Sequence, residues 1–191
     1  MIELRAFEET DIPRLLGWVP DARFLLQWAG PQYKFPLDAS QLLQTLTTTR
    51  GDRPSCFMFK ALRKVEGDVV GHIELMKINY DEGTAQLGRV LIGSPQRRGH
   101  GLGRAMVESA VSYAFHRLGL NMVTLKVFDF NAQAIACYRR LGFTEYERMP
   151  LARTFGEEHW TLIMMKLDRT TWAERQRGEE PHASDAGKPN R

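Results

Sequence analysis

The chain has 191 residues, room for one ordinary domain and not for two large ones. Hydrophobic residues make up 43% and charged residues 26%, a globular balance that excludes wholesale disorder. Lysine and arginine number 26 against 23 aspartates and glutamates, a net charge of +3, and they are scattered rather than gathered into the stripe of a nucleic-acid binder. Two cysteines, Cys56 and Cys137, are too few for a disulfide framework and lack any metal-ligand spacing. No metal is implied. The start, with Glu3, Glu8, Glu9 and Asp11, lacks the pattern of a signal peptide, and no stretch approaches the roughly 18 apolar residues of a membrane span. The expectation is a cytoplasmic protein with no membrane and no nucleic-acid partner.

In chain order, residues 2–7 read as a strand. Capping groups at Glu9-Thr10-Asp11 precede a helical pattern from Ile12, with Pro13 in the first turn, where its missing N–H is harmless. A second short helix covers ARFLLQWAG, and a third begins after Pro36, capped by Asp38 or Ser40. The alphabet then changes to strands at residues 56–64, 69–78 and 84–94, joined by short turns. Leu102, Met106, Ala110 and Ala114 recur every fourth residue and predict a helix over 102–118, stopped at Gly119. A strand at 122–130, a helix from an Asn131 cap to a Gly142 stop, a strand near FTEYERM and a last strand at 159–168 follow. The order β-ααα-βββ-α-β-α-β-β predicts a mixed α/β sheet with helices on both faces and a right-handed parallel crossover around the 102–118 helix. Residues 1–169 form the domain in this reading, and 170–191 a polar, flexible tail.

Between the strand at 84–94 and the next helix lies SPQRRGHGLGRAM. Gly99, Gly101 and Gly103 let the backbone adopt positive φ and gather N–H groups at a helix start, where the dipole favours an anion. Arg98 and Arg104 flank the turn. This is a pyrophosphate cradle, but not a P-loop, because Arg104-Ala105 follow the last glycine where Lys-Ser/Thr is required. GxGxxG fails too, with Arg104 or Met106 where a glycine is needed.

Arg98-Gly99-His100-Gly101-Leu102-Gly103 resembles the Arg/Gln-x-x-Gly-x-Gly/Ala signature of the GNAT N-acetyltransferase superfamily. A second family signature fits Asn131, Ala134, Tyr138 and Gly142-Phe143. The two stand in order and at the usual separation, and the element order agrees along residues 2–168. The aromatic-rich start, with Trp18, Trp28 and Phe35, is similar to the branch of ribosomal-protein N-terminal and antibiotic acetyltransferases.

The resemblance implies an acetyl-CoA-dependent N-acetyltransferase in which the acyl donor lies where two parallel strands splay apart. Its pantetheine arm would pair with backbone groups of Leu91, Ile92 and Gly93, as an added strand does. Its pyrophosphate would meet the turn formed by Arg98, Gly99, His100, Gly101, Leu102, Gly103 and Arg104. Gly93 departs from the bulkier residue often found there. Asn131 is a helix N-cap that the family reading also aims at the cofactor arm. Tyr138 is either a core aromatic or the general acid that protonates the departing thiolate; the second signature favours the acid. Glu74, on the same strand face as His72, is the chosen general base, against a plain solvent-facing charge. Cys137 reads as packing.

The acceptor is an amine-bearing small molecule or a protein N-terminus, walled by residues 18–50 and a loop at 149–158. Trp18, Phe24, Trp28, Tyr33 and Phe35 divide between core and acceptor wall, and Asp21, Asp38, Glu157 and Glu158 are acids able to attract an ammonium. Alternatives are another acyl-CoA donor, a non-catalytic acyl-CoA sensor, and a nucleic-acid binder using the basic turn. The chain is a monomer or a homodimer; the strand at 159–168 is either an edge that pairs between subunits or one buried within a single subunit.

Overall fold

Apolar residues alternating along seven segments build one sheet, seen in a computed structural model that describes residues 2–178. Its strands are β1 (Ile2–Ala6), β2 (Cys56–Arg63), β3 (Val69–Asn79), β4 (Thr84–Ile92), β5 (Met122–Phe128), β6 (Thr144–Phe155) and β7 (Glu158–Asp168). They lie side by side in the order β1-β2-β3-β4-β5-β7-β6. All neighbours are antiparallel except β4 and β5, the predicted parallel pair. Of the two readings for the strand at 159–168, the internal one holds: β7 sits between β5 and β6, and β6 takes the edge.

Helices cover both faces. On one, α1 (Ile12–Leu16), α2 (Ala22–Ala29) and α3 (Ala39–Thr47) bury Leu15, Leu25, Leu42 and Leu46 against Cys56, Met58 and Leu91. Asp21 caps α2 by accepting from the Phe24 amide at 2.7 Å, and Asp38 caps α3 through the Gln41 amide at 3.0 Å. On the other face, α4 (Leu102–Ser112) and α5 (Ala132–Leu141) press Met106, Val107, Ala110, Val111 and Ile135 onto Ile73, Leu75, Leu87, Val123 and Leu125. Full burial of such a side chain stabilises the fold by about 1.5–3 kcal/mol.

The structure departs from the predicted boundaries in three places. The helix over 102–118 is α-helical only to Ser112, and Tyr113–Arg117 continues as a wider π turn whose Tyr113 ring meets Phe57 and Phe59 edge-on. The expected loop at 149–158 is mostly strand, since β6 runs on to Phe155 and turns at Gly156-Glu157. The first part of the predicted tail is instead helical. A helix α6 (Arg169–Gln176), capped by Asp168 onto the Thr171 amide at 2.8 Å, buries Trp172 against Phe115. Residues 179–191 of the predicted tail lie outside the described residues.

Candidate active site

The parallel pair β4–β5 is joined only from Thr84–Leu87 to Met122–Leu125. Beyond that register the strands diverge, leaving residues 88–92 and 126–128 facing each other without a ladder. A cleft of about 670 Å³ occupies the gap. Its walls are the β4 end, the glycine turn, the starts of α4 and α5, and Phe24, Gln27 and Trp28 of α2.

Most residues singled out in the sequence meet here. Leu91, Ile92, Arg98, Gly99, Gly101, Gly103, Arg104, Asn131 and Tyr138 all line the cleft; Gly93, His100 and Leu102 do not. Gly99 (φ 82) and Gly101 (φ 77) hold the left-handed conformation that bends the chain into α4, and a Cβ on either would meet open space. Conformation, not crowding, requires glycine there. Arg97 is held by Asp68, whereas Arg104 has no ion pair among the described residues.

Gly93 differs from expectation. Its amide donates to Val70 carbonyl at 3.0 Å, so it is already engaged across the sheet and unavailable to a ligand. Asn131 caps α5, its side-chain oxygen accepting from the Ala134 amide at 3.3 Å. Tyr138 projects from the next turn of α5. Its ring packs edge-on against Phe143, while its hydroxyl forms no hydrogen bond among the described residues. Burial, reinforced slightly by Cys137, pushes its ionisation well above the usual tyrosine range, so it stays a proton donor.

Glu74 lies elsewhere. It is fully buried on β3 and borders a second cavity of about 1010 Å³ between the sheet and α3. Arg89 Nη1 donates to one carboxylate oxygen at 2.8 Å, and His72 Nε2 sits 2.9 Å from the other. Burial alone would raise its pKa, but the Arg89 charge and the His72 contact outweigh it and hold the carboxyl below the usual value. The same environment works oppositely on Cys56, whose thiol is pushed up to about 12 by burial and by Glu74.

Arg89 was not singled out from the sequence. A bulge puts it there: two steps on β3, His72 to Glu74, oppose three on β4, Gly88 to Leu91, and Arg89 takes a φ of 50°. Its guanidinium turns onto the helical face and donates to Glu74, Tyr33 hydroxyl (2.7 Å) and Gln32 side chain (2.6 Å). It also lies over the Tyr33 ring at 4.1 Å. No periodicity marks a bulge, although an arginine inside an otherwise apolar strand was a signal. Of the five aromatics, Tyr33 is core, Trp18, Phe24 and Trp28 are half-buried against it, and Phe35 is exposed.

Such an opening suits a ligand that brings its own hydrogen-bonding edge and an anionic end. The free β4 edge can accept an extended amide-bearing arm, the apolar walls its carbon chain, and the turn with Arg98 and Arg104 its phosphates. These are the chemical parts of an acyl-CoA.

Comparison with known proteins agrees. Residues 22–143 match the acetyltransferase (GNAT) family. A spermidine N(1)-acetyltransferase of Vibrio cholerae is 31% identical over 144 residues, 75% of this chain and 79% of that protein. A mycothiol acetyltransferase of Salinispora arenicola is 34% identical over 84 residues, covering 41% of this chain but only 27% of that one. The crystal structure of spermidine N-acetyltransferase from Vibrio cholerae in complex with CoA and spermine superposes with a TM-score of 0.78 at 20% identity, over 90% of this chain and 98% of that one. That likeness is one of fold. No helix among the described residues is long and apolar enough to cross a membrane, and no cluster of acidic, histidine and cysteine side chains among them suits a metal. The matched relatives are named as acetyltransferases and the family match covers more than half of the sequence, which leaves one assignment: this chain is a member of the GNAT family, transferring acetyl from acetyl-CoA to an amine.

Proposed function

We propose that the chain acetylates the primary amine of a small molecule by direct attack within the β4–β5 opening. The unpaired strand ends carry this reading, because they offer a row of backbone groups that an extended ligand can pair with. Acetyl-CoA supplies a thioester whose carbonyl carbon takes the amine nitrogen as the C–S bond breaks. Leu91 and Ile92 hold the arm, and the amides around Gly99–Gly103 with Arg98 and Arg104 hold the phosphates. A backbone N–H at the β4 bulge polarises the carbonyl. Asn131 orients the arm from the start of α5, and Tyr138 gives its hydroxyl proton to the departing sulfur.

Glu74 is reassigned. A carboxylate of lowered proton affinity, already bound by Arg89 and His72, is a poor base. Its role is to fix Arg89 at the wall. The amine instead loses its proton to water, helped by the positive side chains around the opening, which disfavour an ammonium.

Isothermal calorimetry with acetyl-CoA, followed by turnover with an amine panel, tests the proposal. Wild type should bind in the micromolar range, and Gly101→Trp should abolish binding while retaining the wild-type circular dichroism. Tyr138→Phe should bind acetyl-CoA normally and lose roughly a hundredfold in kcat. Absence of wild-type binding would overturn the reading.

A further inference from the structure

The opening carries cations and no carboxylate on its wall. Lys126 stands on the part of β5 that has parted from β4, and it lines the cleft. It forms no hydrogen bond or ion pair among the described residues. Lys77, left-handed near the end of β3 (φ 51), and Arg153 of β6 are close enough to act on it. Partial burial first, then these two positive charges, hold the Lys126 ammonium below the usual lysine value; Glu147 acts in the opposite sense.

Across the opening, two donors lack acceptors. Arg89 is 7% exposed, and its Nε–H has no partner; the indole N–H of Trp28 has none either. Both residues line the same cleft. Both atoms are closed off from solvent, the Trp28 ring lying against Tyr33 and His72, so they add no ligand contact of their own.

Acids are missing from the cleft wall, whereas Asp38 and Glu74 line the second cavity beyond Arg89. No aspartate or glutamate lines the cleft. Three of the four acids that the sequence offered to an ammonium are engaged: Asp21 and Asp38 cap helices, and Glu158 holds Arg23 at 2.8 Å and the Trp160 indole N–H at 3.0 Å. Glu74 is neutralised by Arg89. The distal ammonium of a diamine would therefore meet like charge, while an anion would meet Lys126 on the cleft wall, with the charges of Lys77 and Arg153 acting from outside it.

From this charge arrangement we infer that the acceptor is an amine carrying an anionic group, carboxylate or phosphate, on its non-reacting end, and that Lys126, with Lys77 and Arg153 behind it, receives that group. The inference rests on acetyl transfer at this cleft. It departs from spermidine, the polycation in the names of several relatives.

The test needs no knowledge of the natural acceptor. Three conjugates carry, on the CoA sulfur, an acetamide whose nitrogen bears a three-carbon chain ending in carboxylate, phosphate or ammonium. Their dissociation constants are measured by calorimetry on the full chain. At least one anionic conjugate should bind about tenfold or more tightly than the ammonium conjugate, and the better anion names the source. Lys126→Glu should reverse that ratio and Lys126→Met should flatten it; ratios cancel any effect on the shared CoA portion. Equal or tighter binding of the ammonium conjugate by wild type would overturn the inference, and an anion preference that survives Lys126→Glu would overturn the role of Lys126. Failure of CoA itself to bind would instead overturn the acetyl-CoA reading.

Discussion

At Gly93 the chain leaves no room for a methyl group. A Cβ there would lie 2.1 Å from the Trp18 ring, so the side chain missing from β4's end is supplied by an indole from the segment after α1. Gly93→Ala should destabilise the fold by about 1–3 kcal/mol in urea unfolding, and adding Trp18→Leu should recover part of the loss, because the two side chains compete for one space. Asp11 offers a second case. It is buried, accepts from Lys60 at 2.9 Å and Arg14 at 2.6 Å, and takes the Glu8 amide at 3.0 Å. Burial would raise its pKa, but these donors lower it overall. A depressed carboxylate stabilises the fold above its unfolded pKa and loses that contribution as pH falls. Wild type should therefore be more stable than Asp11→Asn at pH 7, and the gap should shrink as pH falls below about 4. Single residues were legible where a motif named them: the glycine turn, Asn131 and Tyr138 all reach the cleft. Arg89 and Lys126 were not, because their positions depend on a bulge and on two strands parting, neither of which leaves a period in the chain.

Among elements, α6 shows where patterning fails. RTTWAERQ has one large apolar residue, too few to register as an amphipathic face, yet that residue is 2% exposed against Phe115. Arg169 at its start donates Nε to the Leu120 carbonyl at 2.7 Å, tying the helix to the loop before β5. Trp172→Ala should lower stability by about 3–5 kcal/mol, read by thermal or urea unfolding, whereas a solvated tail would give no change. Other elements were readable because capping residues and apolar periods agreed: Asp38 and Asn131 cap the helices they precede, while the Asp21 cap of α2 was not read as one. Strand order across β5, β7 and β6 was hidden, since a hairpin's sequence does not tell which of its strands faces the sheet.

Over the whole molecule, the helical cover and the far hairpin are clasped across the opening. Arg23 of α2 pairs with Glu158 and lies over the rings of Phe130 and Trp160, joining segments far apart in the chain. The clasp holds Glu158 down to about 2, so it persists through the acidic range. The sheet between these two sides remains incomplete. Where β4 and β5 part, peptide N–H groups face a gap instead of a neighbouring strand, and their hydrogens are open to solvent. A ligand laid along that edge acts as the missing seam: it binds the folded form alone and so shifts the balance away from unfolding. Deuterium uptake should therefore slow most over residues 88–92 when acetyl-CoA is added, and the melting temperature should climb with its concentration. Unchanged exchange at those residues would place the ligand elsewhere. On this reading the donor completes the sheet, and the unliganded fold is a sheet awaiting its last edge.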